Sequence, residues 1–236
     1  MEIWRQAVAA VDPRQAVAQA LRGRRWPPAA GGWELLAVGK AAPAMAAGAL
    51  EALGGGEPTR GLVVTAAAQA PTPVARVRES ASLRVVAAGH PLPDAAGERA
   101  ARDAEALVEG SAAPLLVLLS GGGSAMLPAP APGIGLEEKV ATTSLLLAAG
   151  ADIHELNCVR RHLSRTKGGG LARLSAGREV LVLVLSDVLG DRLEDVASGP
   201  FAADPTSFVD ALAVVRRRGL LERLPAPVRR RLEAGG

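Results

Sequence analysis

Short apolar runs alternating with helical segments, each run ending in a polar turn, predict a three-layer α/β/α domain. Its sheet is mostly parallel, with five or six strands. Two observations carry this. The runs Leu35–Val38, Leu115–Leu119 and Val180–Leu185 are continuously apolar, as strands covered on both faces are. Helical stretches lie between them, as parallel crossovers require. The 236 residues are 49% hydrophobic, enough for one full core, and with 2% aromatics and no Tyr that core is built from Ala, Val and Leu.

Along the chain, residues 3–22 carry helical apolar spacing, with Pro13 expected to split the helix. A Gly/Pro-rich loop leads to the strand Leu35–Val38, which ends at Gly39 and Lys40. Ala41–Leu53 is Ala-rich and helical, stopped by Gly54–Gly56. Strands follow at Leu62–Val64 and Leu83–Val86, the latter ending at Gly89 and His90. Asp94 caps a helix through Val108, and the strand Leu115–Leu119 runs into Ser120. Leu136–Ala149 and Thr166–Leu174 read as helices, and Val180–Leu185 as the most buried strand, ending at Ser186 and Asp187. Asp204 or Thr206 is expected to cap a last helix reaching about Arg218, and the final residues 233–236 look linker-like. No internal repeat or sharp change in composition divides residues 1–236, so one domain is expected.

The formal charge is +3, carried by 24 Arg and only three Lys (Lys40, Lys139 and Lys167). Most of the arginines are scattered, which reads as a solvated surface, and aromatics for base stacking are scarce. A nucleic-acid partner is therefore not expected. The single Cys158 precludes a disulfide framework within the chain. The first residues lack the apolar core of a signal peptide, and no apolar run approaches the roughly 20 residues of a membrane span. A cytoplasmic protein without a membrane partner is expected.

Ligands of open parallel sheets bind beyond the carboxyl ends of the strands. That rule selects Lys40, His90, the turn Ser120, Gly121, Gly122, Gly123 and Ser124, and the stretch from Asp187 to Asp191. The three glycines allow successive N–H groups to face an anion, although such a run also makes a plain tight turn; Pro128, Pro130 and Pro132 are expected to delay any following helix. There is no GxxxxGK[ST] and no GxGxxG after a strand, which disfavours a P-loop and a dinucleotide site. Lys40 sits where a helix dipole is unfavourable to a cation, which argues for a role in function. Lys139, beside Glu137 and Glu138, reads as surface. The stretch from Asn157 through Arg160, Arg161 and His162 to Lys167 and Gly168 is dense in donors and suits a polyanion, or is simply a solvated basic loop. Asp187 is the best-placed Mg²⁺ ligand, since Mg²⁺ takes one or two carboxylates with water and phosphate oxygens. Asp191 and Asp195 are equally readable as helix caps. The three histidines have no zinc spacing. Glycine loops, lysines and a metal carboxylate are the parts phosphoryl transfer needs.

Seven blocks in order carry a resemblance: Val38–Ala42, Gly89–Asp94, Leu119–Ala125, Gly150–Asn157, Val159–Ser164 with Lys167–Gly169, Ser186–Val188 with Gly190–Asp191, and Ala197–Pro200 with Asp204–Thr206. Together they resemble the type II glycerate kinase (MOFRL) family, some members of which are labelled hydroxypyruvate reductase. The resemblance implies a Rossmann-like first domain, a smaller second domain and an active site between them. It implies transfer of the γ-phosphoryl group of ATP to the 2-hydroxyl of D-glycerate with Mg²⁺. Lys40, Asp187 and Asp191 are then the expected catalytic residues, with Asp187 also on the metal. His90, residues 120–124, Asn157, Arg160, Lys167, Gly168, Ser198 and Gly199 are expected to contact substrate or nucleotide.

Two departures stand out. Where the family has a Lys-Tyr-Gly-His-like run after the second strand, this chain has Ala66–Pro71. The second (MOFRL) domain, to which the resemblance assigns a further catalytic arginine, is not expected within residues 1–236, so the chain reads as a fragment, a separately encoded half or a degraded gene product. The other readings are a non-catalytic nucleotide or sugar-acid binder and a reductase, which the missing GxGxxG argues against. Oligomeric state, a homodimer included, stays open.

Overall fold

In the computed structural model of the protein, residues 11–24, 26–27, 32–54, 56–67, 77 and 80–235 are described. Five strands form one all-parallel sheet: β1 (Glu34–Val38), β2 (Arg60–Ala66), β3 (Leu83–Ala88), β4 (Leu115–Ser120) and β5 (Val180–Leu185), in the order β3-β2-β1-β4-β5. The register aligns Val38 with Val64 and Leu119, and Leu119 with Val184. The strands therefore end level, and the turns that follow gather at one edge.

Among the described residues the helices are α1 (Pro13–Leu21), α2 (Ala42–Ala52), α3 (Ala95–Glu109), α4 (Gly123–Met126), α5 (Leu136–Ala148), α6 (Ile153–His162), α7 (Gly170–Leu174), α8 (Phe208–Arg217) and α9 (Ala226–Ala234). On one face of the sheet, Ala100, Ala104 and Leu107 of α3 pack on Leu36, Val64 and Val117. On the other, Val17 and Leu21 of α1 and Met45 and Leu50 of α2 cover Leu35, Val63 and Leu116. Each fully buried Leu contributes about 1.5–3 kcal/mol. A third core, including Leu146, Leu156, Val159, Val214 and Val228, joins α5, α6, α8 and α9 beside the sheet.

The three layers and the positions of the five strands agree with the sequence reading. Pro13 opens α1 behind an Asp12 cap, and Asp94 caps α3 by accepting the Gly97 N–H at 2.8 Å. The part of the predicted first helix before residue 11 lies outside the described residues, as does most of the departure after β2.

Several expectations are corrected. The donor-rich stretch, to which the sequence reading assigns no helix, contains α6, because Asp152 and Glu155 form a capping box: Asp152 Oδ1 accepts the His154 and Glu155 N–H groups, both at 2.9 Å. Of the predicted helix Thr166–Leu174 only Gly170–Leu174 is helical. Ser207, not Asp204 or Thr206, caps α8 by accepting the Asp210 N–H. The end expected to be linker-like is helical through Ala234, anchored by buried Val228 and Leu232. The turn after β4 enters α4 at once, and the prolines end that helix rather than delaying it. β5, expected as the most buried strand, is the sheet edge, and all six of its residues are only partly buried.

Lys139, expected on the surface, is buried: its Nζ donates to Pro128 O at 2.5 Å and to Leu163 O at 3.1 Å. Burial, reinforced by nearby cations, lowers its pKa well below the lysine range.

Candidate functional site

The turns after β1 and β4 are tied together by main-chain donors. Lys40 N–H donates to Gly121 O at 2.9 Å, and Ala41 N–H donates to Ser120 Oγ at 3.1 Å. Two glycines make the β4 turn what it is. Gly122 has φ +86°, a conformation that costs other residues free energy. A Cβ on Gly121 would lie 1.9 Å from Asp187 Oδ2, so the Asp187 carboxylate closes directly onto the turn. His90, from the turn after β3, approaches Gly122 from the other side.

These groups border a cavity of about 330 Å³ whose wall includes His90, Gly121, Gly122, Asn157, Arg160 and Asp187. A larger groove of about 520 Å³ lies between β3 and α3, where Arg84 pairs with Asp103 and Arg102 with Glu98, and the remaining cation, Arg99, is exposed to solvent.

α6 supplies the far wall. Arg160 borders the cavity, and burial lowers its pKa. No carboxylate or carbonyl of the described residues pairs with its guanidinium. Arg161, the next residue, is ion-paired: Nη1 donates to Glu194 O at 3.0 Å, and Nε lies 2.9 Å from Asp204 Oδ1, an ion-pair contact without a hydrogen bond.

Asn157, one turn earlier, belongs to a buried row of hydrogen bonds. Ser198 Oγ donates to Asn157 Oδ1 at 2.9 Å, so its proton is spent and Ser124 must donate to Ser198 across 2.9 Å. Asn157 Nδ2 donates to Asp195 Oδ1 at 3.1 Å, and Asp195 Oδ2 meets His154 Nδ1 at 3.0 Å. Burial pushes the Asp195 carboxyl up, but the Asn157 hydrogen bond and the His154 and Arg161 charges outweigh it and hold the group below the usual carboxylate range. Ser198 reaches this row from a left-handed backbone: Ala197 has φ 52° and Ser198 φ 63°. Such residues cost about 1–3 kcal/mol each and persist where surrounding contacts hold them.

The predicted residues thus fall into groups. His90, Gly121, Gly122, Ser124, Asn157, Arg160 and Asp187 border the cavity. Ser120 and Gly123 build its turn, and Lys40 sits exposed at the rim, close enough for its charge to reinforce burial in lowering the His90 pKa. Lys167 lies beneath the turn: Nζ donates to Ser124 O at 2.8 Å and Leu127 O at 3.3 Å, and burial, with Arg160, lowers its pKa to about 7. Ser198 acts through Asn157 and Ser124. Gly168 faces Asp204, Gly199 borders a separate apolar groove, and Asp191 stands on an exposed loop outside the cavity wall. Sequence reasoning missed the joint role of His154 and Asp195. The signal was the capping box, since once 153–162 is helical, His154, Asn157 and Arg161 fall on one face at spacings of three and four.

Among the described residues no three His, Cys, Asp or Glu side chains gather as a metal cage. Asp187 is a single exposed carboxylate at a strand end, which fits Mg²⁺ held by one protein ligand with water and phosphate oxygens completing its shell. No helix among the described residues is long and apolar enough to cross a membrane.

A parallel sheet whose glycine turn meets, at the strand ends, an arginine unpaired among the described residues and the exposed carboxylate of Asp187 defines an α/β domain with a strand-end site suited to anions. The chain belongs to the DUF4147 family, described as a domain of unknown function, whose profile matches residues 1–233. It is 42% identical over 160 residues to a glycerate 2-kinase of Pyrococcus horikoshii, covering 67% of this chain and 36% of that protein. It is 40% identical over 222 residues to a D-glycerate 2-kinase of Thermotoga maritima, covering 93% of this chain and 51% of that one. The crystal structure of a glycerate kinase from Thermotoga maritima superposes with a TM-score of 0.85 at 39% identity, covering 98% of this chain and 53% of that chain. The chain therefore spans about half the length of these relatives, or less.

Proposed function

We propose that this chain is the sheet-bearing half of a cytoplasmic, ATP-dependent D-glycerate 2-kinase, completed by a second domain outside residues 1–236. The γ-phosphorus–oxygen bond of ATP breaks, a bond forms from that phosphorus to the 2-hydroxyl oxygen of D-glycerate, and the hydroxyl proton leaves; the products are ADP and 2-phosphoglycerate. The observation that carries this reading is Arg160: a half-buried guanidinium bordering the same cavity as the glycine turn, with no ion-pair partner among the described residues. The names of the relatives support it.

Each residue has a task. The Gly121–Gly122 turn offers main-chain N–H groups to phosphate oxygens, and Arg160 balances their charge. Lys40, at the rim, meets the transferring phosphoryl group or the glycerate carboxylate. His90, kept neutral by burial and by Lys40, presents a nitrogen that accepts a hydrogen bond from a substrate hydroxyl. Asn157 is fixed in orientation by Asp195, which can only accept. Lys167 braces the turn from below. Asp187 would hold Mg²⁺, which when bound offsets the phosphate charge.

Calorimetric titration of ATP with Mg²⁺ into the 236-residue chain tests the binding step, with adenosine as control. Binding of ATP but not adenosine, weakened in Arg160→Ala, is expected. Equal binding of both ligands would remove the phosphate reading. Coupled detection of 2-phosphoglycerate with the second domain supplied tests the reaction.

A further inference from the structure

β4 and β5 are alike in sequence yet differently housed. Every residue of β4 is buried, whereas β5, Val-Leu-Val-Leu-Val-Leu, is partly open along its whole length. Exposed sheet edges are ordinarily blunted by charge, proline or bulges. β3, at the opposite edge, carries the exposed Arg84. β5 carries no such device.

Its two faces pack on the two cores but are only partly covered. On one, Leu119, Val182, Val184, Leu193 and Phe201 border an apolar groove of about 280 Å³, with Leu193 itself 55% exposed. On the other, Val17, Met45, Leu183 and Leu185 border a groove of about 100 Å³. A strand laid along β5 would send alternate side chains into both grooves. The sheet order β3-β2-β1-β4-β5 is that of a doubly wound sheet, which continues to a sixth strand beside the fifth.

We propose that the open edge of β5 is a docking site for a sixth β-strand, supplied by the part of the enzyme that this chain does not span. The inference rests on the reading above that a second half completes the molecule, and the relatives' unmatched length is enough to provide it. An alternating apolar strand fits the chemistry of both grooves. A second copy of the chain fits less well, because a two-fold axis would pair β5 with itself antiparallel and contribute nothing to that missing length.

The test uses the 236-residue chain and, as probe, the portion of the Thermotoga maritima chain that it does not match, added as a separate polypeptide. Binding is read by calorimetry, and amide hydrogen exchange is read over residues 180–185. The expected result is binding with slowed exchange in β5, weakened at least tenfold by Val184→Lys on one face and by Leu185→Lys on the other. Val209→Lys, an exposed apolar position on α8, should leave binding unchanged. Far-ultraviolet circular dichroism confirms that each variant is folded. Absent binding, or binding indifferent to both β5 variants, overturns the proposal. So does a dimer of the chain alone that Val184→Lys dissolves, since the occupant would then be a second copy. Binding through β5 without glycerate phosphorylation would sink the kinase reading and leave this surface standing. Phosphorylation independent of β5 would do the reverse.

Discussion

Two arginine sites lie at opposite ends of the same sheet and are wired in opposite ways. At the amino ends of the strands, the buried carboxylate of Glu34 receives Arg178 Nη2 and Arg60 Nε, both at 2.6 Å. Arg178 also donates to Leu107 O at 3.0 Å and Val108 O at 3.1 Å, so its charge and donors are consumed by the protein. At the carboxyl ends, Arg160 has no such partner among the described residues while burial presses on its charge. Two cations of the same type thus serve different ends. The first closes the base of the sheet, and the second is held in readiness for something that arrives from solution.

The largest effect should come from Glu34→Ala, which strands Arg178 as a buried, unpaired cation. Loss of about 3–5 kcal/mol is expected from urea unfolding, with ATP affinity of the folded fraction unchanged. An unchanged midpoint would break the comparison at its paired end. Arg160→Ala should reverse the pattern: ATP binding weakens by about 1.5–3 kcal/mol, roughly ten- to a hundredfold, while the urea midpoint holds or rises. Were Arg160→Ala instead to destabilise the fold with binding intact, the arginine would be structural.

Ser198→Ala sharpens the picture at the cavity wall. It leaves Asn157 Oδ1 without its donor and keeps a left-handed backbone, so about 2 kcal/mol of stability is expected to go. Ser198→Gly loses the same hydroxyl but accommodates φ 63° freely, and should recover about 1 kcal/mol of that. Equal losses in the two variants would mean the turn stores no strain.

The smallest effect is a pH dependence. Burial holds Lys167 at about 7 in the folded chain against 10.5 unfolded, so between these values the unfolded state binds more protons and stability rises with pH. About 1 kcal/mol is expected between pH 7 and 8, lost again as pH falls back through 7. Buried Lys139 shifts in the same direction and adds to the rise. Lys167→Met should flatten the rise.

Much of the architecture was legible because it depends on local pattern. Continuous apolar runs mark strands covered on both faces, and small polar residues after them mark turns. Helix α6 is hard to read from the sequence because its apolar positions are few and its capping box stands beside a run of basic residues. β5 was misjudged because an apolar strand reads the same in the middle of a sheet and at an edge that still awaits a neighbour. Lys139 was misplaced for a related reason: flanking glutamates suggest solvent, but which side of a helix faces inward is settled by the helices packed against it.

The sequence by itself determined the alternation of strands and helices and the set of turns from which a site would be drawn, since hydrophobic period and glycine placement act over a few residues. Only the tertiary structure decided that Arg160 has no ion-pair partner among the described residues while Arg161 is ion-paired, that Lys167 braces the turn rather than bordering the cavity, and that Asp195 orients Asn157. Whether a charge is matched depends on groups brought within about 3 Å from distant parts of the chain. Adjacent residues on a helix point about 100° apart, so neighbours in sequence can have opposite fates.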